Sequence, residues 1–316
     1  MSEFKILISD GLSEEGLALL KNVGEVTSNP KISAEELAAV LPTYDALIVR
    51  SRTKVSEAVL EAGKRLKVVG RAGVGVDNID VAAAQRRGIT VVNSPLAATT
   101  AVAEHTLGLM LALARGTAAA DASMKAGRWE KSSFMGSELA GKTLGLLGIG
   151  RIGAEVARLA LAFGMAVIAY DPYLSDVQIR QRQAEPAQFD EVLGRSDMIS
   201  LHLPLTPETG GLIGAQQISK MKPGARLVCT ARGGVIDEDA LRVALDSGAL
   251  AGAALDVFAA EPVQPGSIAS HPKVIATPHI GAQTKEAQAR AAVAIAEEVV
   301  SVLQGKQPRW VVKDAD

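Results

Sequence analysis

Residues 143–153 read TLGLLGIGRIG, an apolar run followed by three closely spaced glycines. The apolar run at 143–147 is typical of a buried β-strand, and residues 152–163 have the apolar spacing of an α-helix. Gly148 permits a tight turn between them, Gly150 leaves the backbone accessible to a ligand, and Gly153 allows the helix to pack closely on the strand. The stretch predicts a strand-turn-helix unit whose helix amides bind a phosphate group.

The next apolar run, 167–170, ends at Asp171. An acidic residue at this distance after a glycine turn accepts hydrogen bonds from the adenine ribose hydroxyls of a dinucleotide. A carboxylate would also repel the 2′-phosphate of NADP, so the pattern favours NAD. The alternative is a purely structural turn followed by an ordinary loop acid, but the strand-turn-helix-strand context around Gly148 and Gly153 argues against it.

Apolar, β-branched runs alternate with helical patterns along the chain. This alternation predicts two doubly wound parallel sheets covered by helices on both faces, an α/β fold class. In the first series the strands are expected at 5–8, 25–27, 46–49, 68–69 and 90–92. In the second series they are expected at 143–147, 167–170, 199–201, 226–229, 252–255 and 274–276.

Two long alanine- and leucine-rich stretches, 100–115 and 286–303, are predicted to be buried helices. Shorter helices are expected at 13–21 and 33–41, each with a serine cap, and at 81–87, which ends before a glycine. Because the helix at 286–303 follows the last strand of the second series, we expect the chain to return to the first domain there. The predicted architecture is a discontinuous, flavodoxin-like substrate-binding domain (1–97 and 286–316) with a Rossmann-type NAD-binding domain (98–285) inserted into it.

Composition excludes several classes of protein. The chain of 316 residues is 48% hydrophobic and 22% charged, which is ordinary for a folded protein and unlike a disordered one. A net charge of −2 provides no basic surplus for a nucleic acid or a membrane surface. The amino terminus lacks the apolar stretch of a signal peptide, and the single cysteine fits a reducing compartment, so a cytoplasmic location is expected.

Three later segments place charged side chains after predicted strands, where ligands bind in open α/β sheets. Arg232 follows the run at 226–229, Glu261 lies beyond the run at 252–255, and His279 follows the run at 274–276. A guanidinium can hold a substrate carboxylate, an imidazole can exchange a hydroxyl proton, and a carboxylate can orient that imidazole. Together they suit hydride transfer to and from a 2-hydroxy acid.

With these motifs in place, the sequence closely resembles the D-isomer-specific 2-hydroxyacid dehydrogenase family, and within it the branch that acts on 3-phosphoglycerate. The resemblance covers nearly the whole chain. The matching segments are LIVRSRTKV (47–55), VVGRAGVGVDNID (68–80), GKTLGLLGIGRIG (141–153), ARGGVIDE (231–238), GAALDVF (252–258), EP (261–262) and TPHIGA (277–282).

The resemblance implies a role for each matching residue. Arg232, Glu261 and His279 would be catalytic, and Asp256 would meet the nicotinamide carboxamide. The cofactor would also contact Val74, through its backbone alone, and Gly148, Gly150, Arg151, Ile152, Gly153, Asp171, Thr230, Ala231, His279 and Gly281. The substrate would contact Arg50, Ser51, Arg71, Ala72, Gly73, Arg232 and His279.

Two features of the sequence concern the choice of substrate. Arg50 and Arg71 would face a substrate phosphate, although arginines after strands are often surface ion-pair partners, and Lys131 could reach the same region. Many relatives carry a glycine and an asparagine where this chain has Leu96, Ala97 and Ala98, which removes a possible polar contact.

The implied function is NAD-dependent oxidation of 3-phospho-D-glycerate to 3-phosphooxypyruvate, the first step of serine biosynthesis. One alternative is reduction of glyoxylate, hydroxypyruvate or another 2-oxo acid, and another is an NAD-sensing corepressor without turnover. The resemblance also implies a homodimer formed through 100–115 and its flanks. Because the chain ends at residue 316, we expect a short form without a regulatory extension and without feedback inhibition through one.

Other polar residues have simpler interpretations. His105 is expected to be a packed, hydrogen-bonded histidine, and His202 and His271 to take no direct part in chemistry. Cys229 lies in an apolar strand and is expected to be a small buried side chain. The spacing of the four histidines and the acids gives no metal site, and we expect none.

Overall fold

The computed structural model describes residues 4–313, which alternate between strands and helices. The strands are β1 (Phe4–Ile8), β2 (Gly24–Ser28), β3 (Ala46–Val49), β4 (Val68–Arg71), β5 (Thr90–Asn93), β6 (Thr143–Leu147), β7 (Ala166–Tyr170), β8 (Glu185–Pro186), β9 (Met198–Leu201), β10 (Ala225–Cys229), β11 (Leu250–Leu255) and β12 (Val274–Ala276). The helices are α1 (Glu14–Lys21), α2 (Ala34–Val40), α3 (Glu57–Ala62), α4 (Val81–Arg86), α5 (Thr99–Arg115), α6 (Thr117–Lys125), α7 (Arg151–Ala162), α8 (Asp176–Gln181), α9 (Phe189–Arg195), α10 (Ala215–Ile218), α11 (Glu238–Ser247) and α12 (Lys285–Leu303).

The chain divides into two compact units. Among the described residues, the first contains 4–98 and 282–313, and the second is Thr99–Gly281. The sequence-based boundary at 285/286 assigns residues 282–285 to the inserted domain, whereas in the structure they belong with α12. The reason is local, because the side chain of Gln288 on α12 donates a 2.9 Å hydrogen bond to the carbonyl of Ala282.

The first unit is built on a parallel sheet with the strand order β2-β1-β3-β4-β5, which is the flavodoxin-like order. Side chains alternate between its faces. Ile6 and Ile8 pack with α1 and α12, while Leu7 between them packs with α2, α3 and α4. Both faces are therefore apolar, as expected for a parallel sheet covered by helices. Gly70 lets α12 lie close to β4, since a Cβ atom there would be 2.7 Å from Val299.

The second unit is built on a parallel sheet with the order β12-β11-β10-β9-β6-β7-β8. The strand order reverses between β6 and β9, and ligands of open α/β sheets bind beyond the carboxyl ends of the strands at such a point. The predicted α/β class with two parallel sheets is confirmed. The short strand β8 is absent from the sequence-based prediction because it has two residues, one of them a proline, which carries no strand pattern.

Of the two predicted serine caps, one is confirmed and the other is wrong. The hydroxyl of Ser33 accepts a hydrogen bond from the Glu36 amide and forms a capping box at α2. The prediction that Ser13 caps α1 is wrong, because its hydroxyl donates instead to Glu15 at 2.6 Å. Among residues 4–313, no helix has both the length and the apolar character needed to cross a membrane.

Candidate active site

The glycine turn after β6 has the shape of a phosphate-binding loop. Gly148 has a φ of +85°, and a Cβ atom there would lie 2.7 Å from the carbonyl oxygen of His202. At Gly153 a Cβ atom would lie 2.5 Å from the carbonyl oxygen of Gly148. At Gly150, by contrast, a Cβ atom would have no neighbour within 4 Å. Two glycines are therefore required by internal packing, and Gly150 leaves its side of the turn open.

Helix α7 begins at this turn with Arg151 and Ile152 in its first turn and continues for 12 residues. The first amides of a helix have no intrahelical partner and carry part of the positive end of its dipole. An open backbone at Gly150 next to these amides suits the pyrophosphate of a dinucleotide.

Asp171 follows β7 and is held against the same turn. Its Oδ2 atom accepts a hydrogen bond of 3.0 Å from the Ile149 amide, and its Oδ1 atom accepts one of 3.1 Å from the Tyr173 amide. These bonds fix the orientation of the carboxylate beside the glycine turn, where ribose hydroxyls are bound in dinucleotide sites.

Arg182 was not identified from the sequence as part of this region. Its Nη1 atom donates a hydrogen bond of 2.7 Å to the carbonyl oxygen of Ile149. Arg182 directly follows α8, so this bond connects the end of α8 to the glycine turn. No motif marks this residue, and its role depends on a contact across 33 positions.

His202 also lies beside the turn, directly after β9. Its Nε2 atom is 2.9 Å from the hydroxyl of Ser200. Burial lowers the pKa of His202 to about 4, so the imidazole is neutral at pH 7. Its backbone carbonyl packs against Gly148, which makes it a structural neighbour of the loop.

The three predicted catalytic segments follow β10, β11 and β12, which are neighbours in the sheet. The structure brings two of the predicted side chains into contact. Nδ1 of His279 lies 2.8 Å from Oε2 of Glu261. The other oxygen of Glu261 accepts a hydrogen bond of 3.1 Å from the Phe258 amide, which orients the carboxylate.

This contact determines how the imidazole of His279 is protonated. An ionised carboxylate can only accept hydrogen bonds, so Nδ1 carries a proton and donates it to Glu261. Nε2 is therefore the atom that can take up or release a proton. The His279 side chain is 52% exposed, so the imidazole is accessible to a ligand.

The backbone of the His279 loop is unusual. His279 has a φ of +53°, in the left-handed region that non-glycine residues rarely adopt. Such a conformation persists when surrounding contacts hold it and is common at functional sites. Asp256, at the end of β11, provides those contacts, because its carboxylate accepts hydrogen bonds of 2.8 Å from the amides of both Ile280 and Gly281.

Asp256 is only 1% exposed and is ionised in spite of its burial. Burial by itself raises the pKa of Asp256, but hydrogen bonds from His105, Thr277 and the two loop amides outweigh it and lower the pKa below its ordinary value. The carboxylate therefore has several protein donors, in a position where the sequence predicts a contact with the nicotinamide carboxamide.

The loop after β10 carries Thr230, Ala231 and Arg232. The hydroxyls of Thr230 and Thr106 are 2.9 Å apart, which joins this loop to α5. Arg232 donates a hydrogen bond of 2.7 Å to the carbonyl of Ala231. Cys229 is buried, and desolvation raises the pKa of its thiol to about 11, so it stays protonated at pH 7 and is a small core side chain.

The predicted substrate residues of the first unit lie on the loops after β3 and β4. Arg50 follows β3, and partial burial lowers the pKa of its guanidinium although Asp10 opposes that shift. Ser51 is exposed beside it. Arg71 donates a hydrogen bond to the carbonyl of Gly75 and so lies over its own loop, which contains Ala72 and Gly73.

Asn93, at the end of β5, contacts the loop that carries Val74. The side chain of Asn93 donates a 2.6 Å hydrogen bond to the carbonyl of Val74, so that carbonyl already has a protein partner. In the altered segment Leu96 is 52% exposed, while Ala97 and Ala98 are buried.

Lys131 lies in an exposed stretch of the second unit. Residues 4–313 contain no cluster of three or more His, Cys, Asp or Glu side chains suited to a metal ion.

Comparison with known proteins identifies the family of the chain. The family model described as D-isomer specific 2-hydroxyacid dehydrogenase, NAD binding domain, matches residues 107–281. D-3-phosphoglycerate dehydrogenase from Synechocystis sp. is 47% identical over 308 residues, which are 98% of this chain and 56% of that protein. D-3-phosphoglycerate dehydrogenase 2, chloroplastic, from Arabidopsis thaliana is 50% identical over 304 residues, which are 96% of this chain and 49% of that protein.

The chain thus spans about half the length of these curated relatives. The crystal structure of a glyoxylate reductase from Paecilomyes thermophila superposes with a TM-score of 0.90 at 30% identity, covering 99% of each chain. The family model accounts for more than half of the chain and includes the glycine turn, Arg232, Glu261 and His279. The chain therefore belongs to the D-isomer specific 2-hydroxyacid dehydrogenase family and contains that family's NAD-binding domain.

Proposed function

We propose that this protein oxidises 3-phospho-D-glycerate to 3-phosphooxypyruvate with NAD, the first step of serine biosynthesis. The observation that carries the proposal is the 2.8 Å contact between His279 and Glu261 on loops of the NAD-binding unit. The substrate is inferred from relatives named D-3-phosphoglycerate dehydrogenase that are 47% and 50% identical over nearly the whole chain.

The residues around the glycine turn fit NAD. Gly150 leaves open space at the start of α7, so the first amides of α7 would hold the pyrophosphate, and Asp171 would accept the ribose hydroxyls. When bound, NAD supplies the acceptor for the hydride that leaves C2 of the hydroxy acid. The other residues proposed to contact it are Val74, Gly148, Arg151, Ile152, Gly153, Thr230, Ala231, Asp256, His279 and Gly281.

His279 is proposed as the acid-base residue. In the oxidising direction Nε2 removes the proton from the 2-hydroxyl group, and the imidazole becomes positively charged. Glu261 accepts the hydrogen bond from Nδ1 and stabilises this charge. In the reducing direction the same atom returns the proton to the carbonyl oxygen.

Arg232 is proposed to bind the substrate carboxylate and polarise the reacting carbonyl. A guanidinium suits this task because two of its N–H groups can donate to one carboxylate in parallel. Arg50 and Arg71 are proposed to bind the substrate phosphate, and Ser51, Ala72 and Gly73 to contact the substrate through the loops that carry them.

A related activity is the competing proposal. The likeness to a glyoxylate reductase and the apolar Leu96-Ala97-Ala98 segment favour reduction of an unphosphorylated 2-oxo acid. Steady-state kinetics with 3-phosphoglycerate, hydroxypyruvate and glyoxylate would decide between the two. If kcat/KM for 3-phosphoglycerate is well below that for hydroxypyruvate, the favoured substrate is refuted. If Arg71→Ala leaves the KM for 3-phosphoglycerate unchanged, phosphate binding by Arg71 is refuted. The presence of Arg232, Glu261 and His279 together argues against a corepressor without turnover.

We further propose a homodimer formed through α5 and the residues that flank it. Large apolar side chains are exposed just beyond α5, with Met124 at 54%, Trp129 at 79% and Met135 at 92% exposure. Large exposed apolar surfaces mark interaction sites, so we propose that these side chains are buried in the dimer. Sedimentation equilibrium should show a dimer for the wild type and weaker dimerisation for Trp129→Glu. A stable wild-type monomer at micromolar concentration would refute the proposal.

We also propose that the protein is located in the cytoplasm, which cell fractionation would test.

A further inference from the structure

His105 lies on α5, and its imidazole contacts the residues that hold the His279 loop. Its Nε2 atom is 3.2 Å from the hydroxyl of Thr277 and 3.3 Å from Oδ1 of Asp256. The side chain is 21% exposed. We propose that His105 is a positioning residue for His279 and acts through Asp256 and Thr277. The proposal rests on the catalytic role of His279 proposed above.

Asp256 links His105 to both sides of His279. On the amino-terminal side, Thr277 donates its hydroxyl proton to Oδ1 at 2.6 Å. On the carboxyl-terminal side, the amides of Ile280 and Gly281 donate to the same carboxylate at 2.8 Å. His279 is therefore held between contacts to one buried anion.

The direction of these hydrogen bonds defines the state of His105. Thr277 has a single hydroxyl proton, which it donates to Asp256, so its oxygen can only accept from His105. Asp256 is likewise an acceptor. Nε2 of His105 must therefore carry a proton and donate it to this pair of oxygens.

His105 differs from the other donors because it comes from a separate element. Thr277, Ile280 and Gly281 belong to the loop itself, so their bonds to Asp256 move with the loop. His105 is anchored on α5, where Leu107 and Met110 are buried in the core. Its hydrogen bond attaches Asp256 and Thr277 to a rigid helix and limits the displacement of His279.

This attachment matters because His279 has an unfavourable backbone conformation. With a φ of +53°, the loop relaxes toward more common conformations if its contacts loosen. A displacement of about 1 Å at a reacting group can lower a rate on the order of a hundredfold, even though the substrate is still bound. Loss of His105 should therefore lower kcat more than it changes KM.

The test compares His105→Leu, which removes the donor, with His105→Gln, whose amide nitrogen can replace Nε2. His271→Gln is the matched control, since His271 also lies in the second unit but is paired with Asp246 at 3.1 Å. If His105→Leu does not fold, a second pair of variants replaces it. Thr277→Val removes the hydroxyl that contacts His105 and Asp256, and Thr277→Ser keeps it. The first measurement is amide hydrogen exchange at Ile280 and Gly281 in the cofactor-free protein, and the second is kcat and KM.

We expect exchange at Ile280 and Gly281 to be about tenfold faster in His105→Leu, the order of effect of one hydrogen bond to a charged group. We expect kcat to fall by a similar or larger factor, and both changes to be largely reversed in His105→Gln and absent in His271→Gln. Unchanged exchange in His105→Leu, or equal changes in His105→Leu and His105→Gln, would overturn the proposal.

A failure of the catalytic proposal would look different. If His279→Ala retained full turnover, the role of His279 would be refuted. Amide exchange would still show whether His105 holds the loop, because that measurement requires neither cofactor nor turnover.

Discussion

Nδ1 of His279 and Oε2 of Glu261 are 2.8 Å apart, although 18 residues separate them in the chain. The contact forms because the loops after β11 and β12 leave adjacent strands of one sheet. The Phe258 amide holds the second oxygen of Glu261, so the carboxylate can accept from His279 without rotating away.

The first prediction concerns Glu261. Glu261→Gln keeps the size of the side chain but removes the negative charge that stabilises the imidazolium. We expect kcat to fall by a factor on the order of 10²–10⁴, the contribution typical of assisted acid-base catalysis. Stopped-flow measurement of NADH formation checks this, with Glu238→Gln as a control on a nearby carboxylate that bonds the Ala259 amide instead. Equal rates for wild type and Glu261→Gln would contradict the role of the pair.

The second prediction separates the glycines of the turn. Gly150→Ala should fold normally, because its Cβ atom meets nothing within 4 Å, but it should weaken NAD binding by narrowing the space for the pyrophosphate. Gly153→Ala should lower Tm, because its Cβ atom would be 2.5 Å from the carbonyl of Gly148. Differential scanning fluorimetry and NAD titration measure the two effects. Normal NAD affinity in Gly150→Ala would show that the pyrophosphate does not lie there.

The third prediction concerns the choice of cofactor. Asp171→Ala removes the carboxylate proposed to accept ribose hydroxyls and to repel a 2′-phosphate. The ratio of kcat/KM for NAD to that for NADP should fall by about tenfold or more, the effect of losing at least one hydrogen bond to a charged group. Asp176→Ala, at the start of α8 and exposed, is the control. If the ratio is unchanged, another group determines the preference.

The fourth prediction is a pH dependence of stability caused by His202. Its pKa is about 4 in the folded protein and 6.5 as an ordinary value, so between these values the unfolded chain binds a proton that the folded chain does not. The contribution of His202 to stability should therefore fall as the pH decreases from 6.5 to about 4, by at most about 3.4 kcal/mol and by less where the ring meets solvent. Urea unfolding at pH 7 and pH 5 should show a smaller difference for His202→Gln than for wild type, and identical differences would contradict this assignment.

Much of the site could be inferred from the sequence because its signals are local. The glycine turn and Asp171 lie directly after strands, and Arg232, Glu261 and His279 lie on the loops that follow β10, β11 and β12. Strand ends on one side of a parallel sheet carry its ligand residues, so finding the strands indicates the site. The same reasoning predicts both sheets, since their strands are apolar on both faces.

Long-range contacts could not be inferred in this way. His105 has the expected character of a packed, hydrogen-bonded histidine, but its partner Thr277 is 172 residues away. Arg182 braces the glycine turn from the end of α8 with no motif to mark it. Each contact depends on which helix covers which strand, and periodicity within a segment contains no information about that.

The amino-acid sequence alone was enough to predict the α/β class, the glycine turn after β6 and the residue types of the candidate site, because these depend on apolar periodicity, on glycine and on the order of elements. Only the tertiary structure decided that Asp256 holds both sides of His279 and that His105 anchors Asp256. The reason is that a buried carboxylate requires several donors, and the fold alone determines which distant residues can supply them.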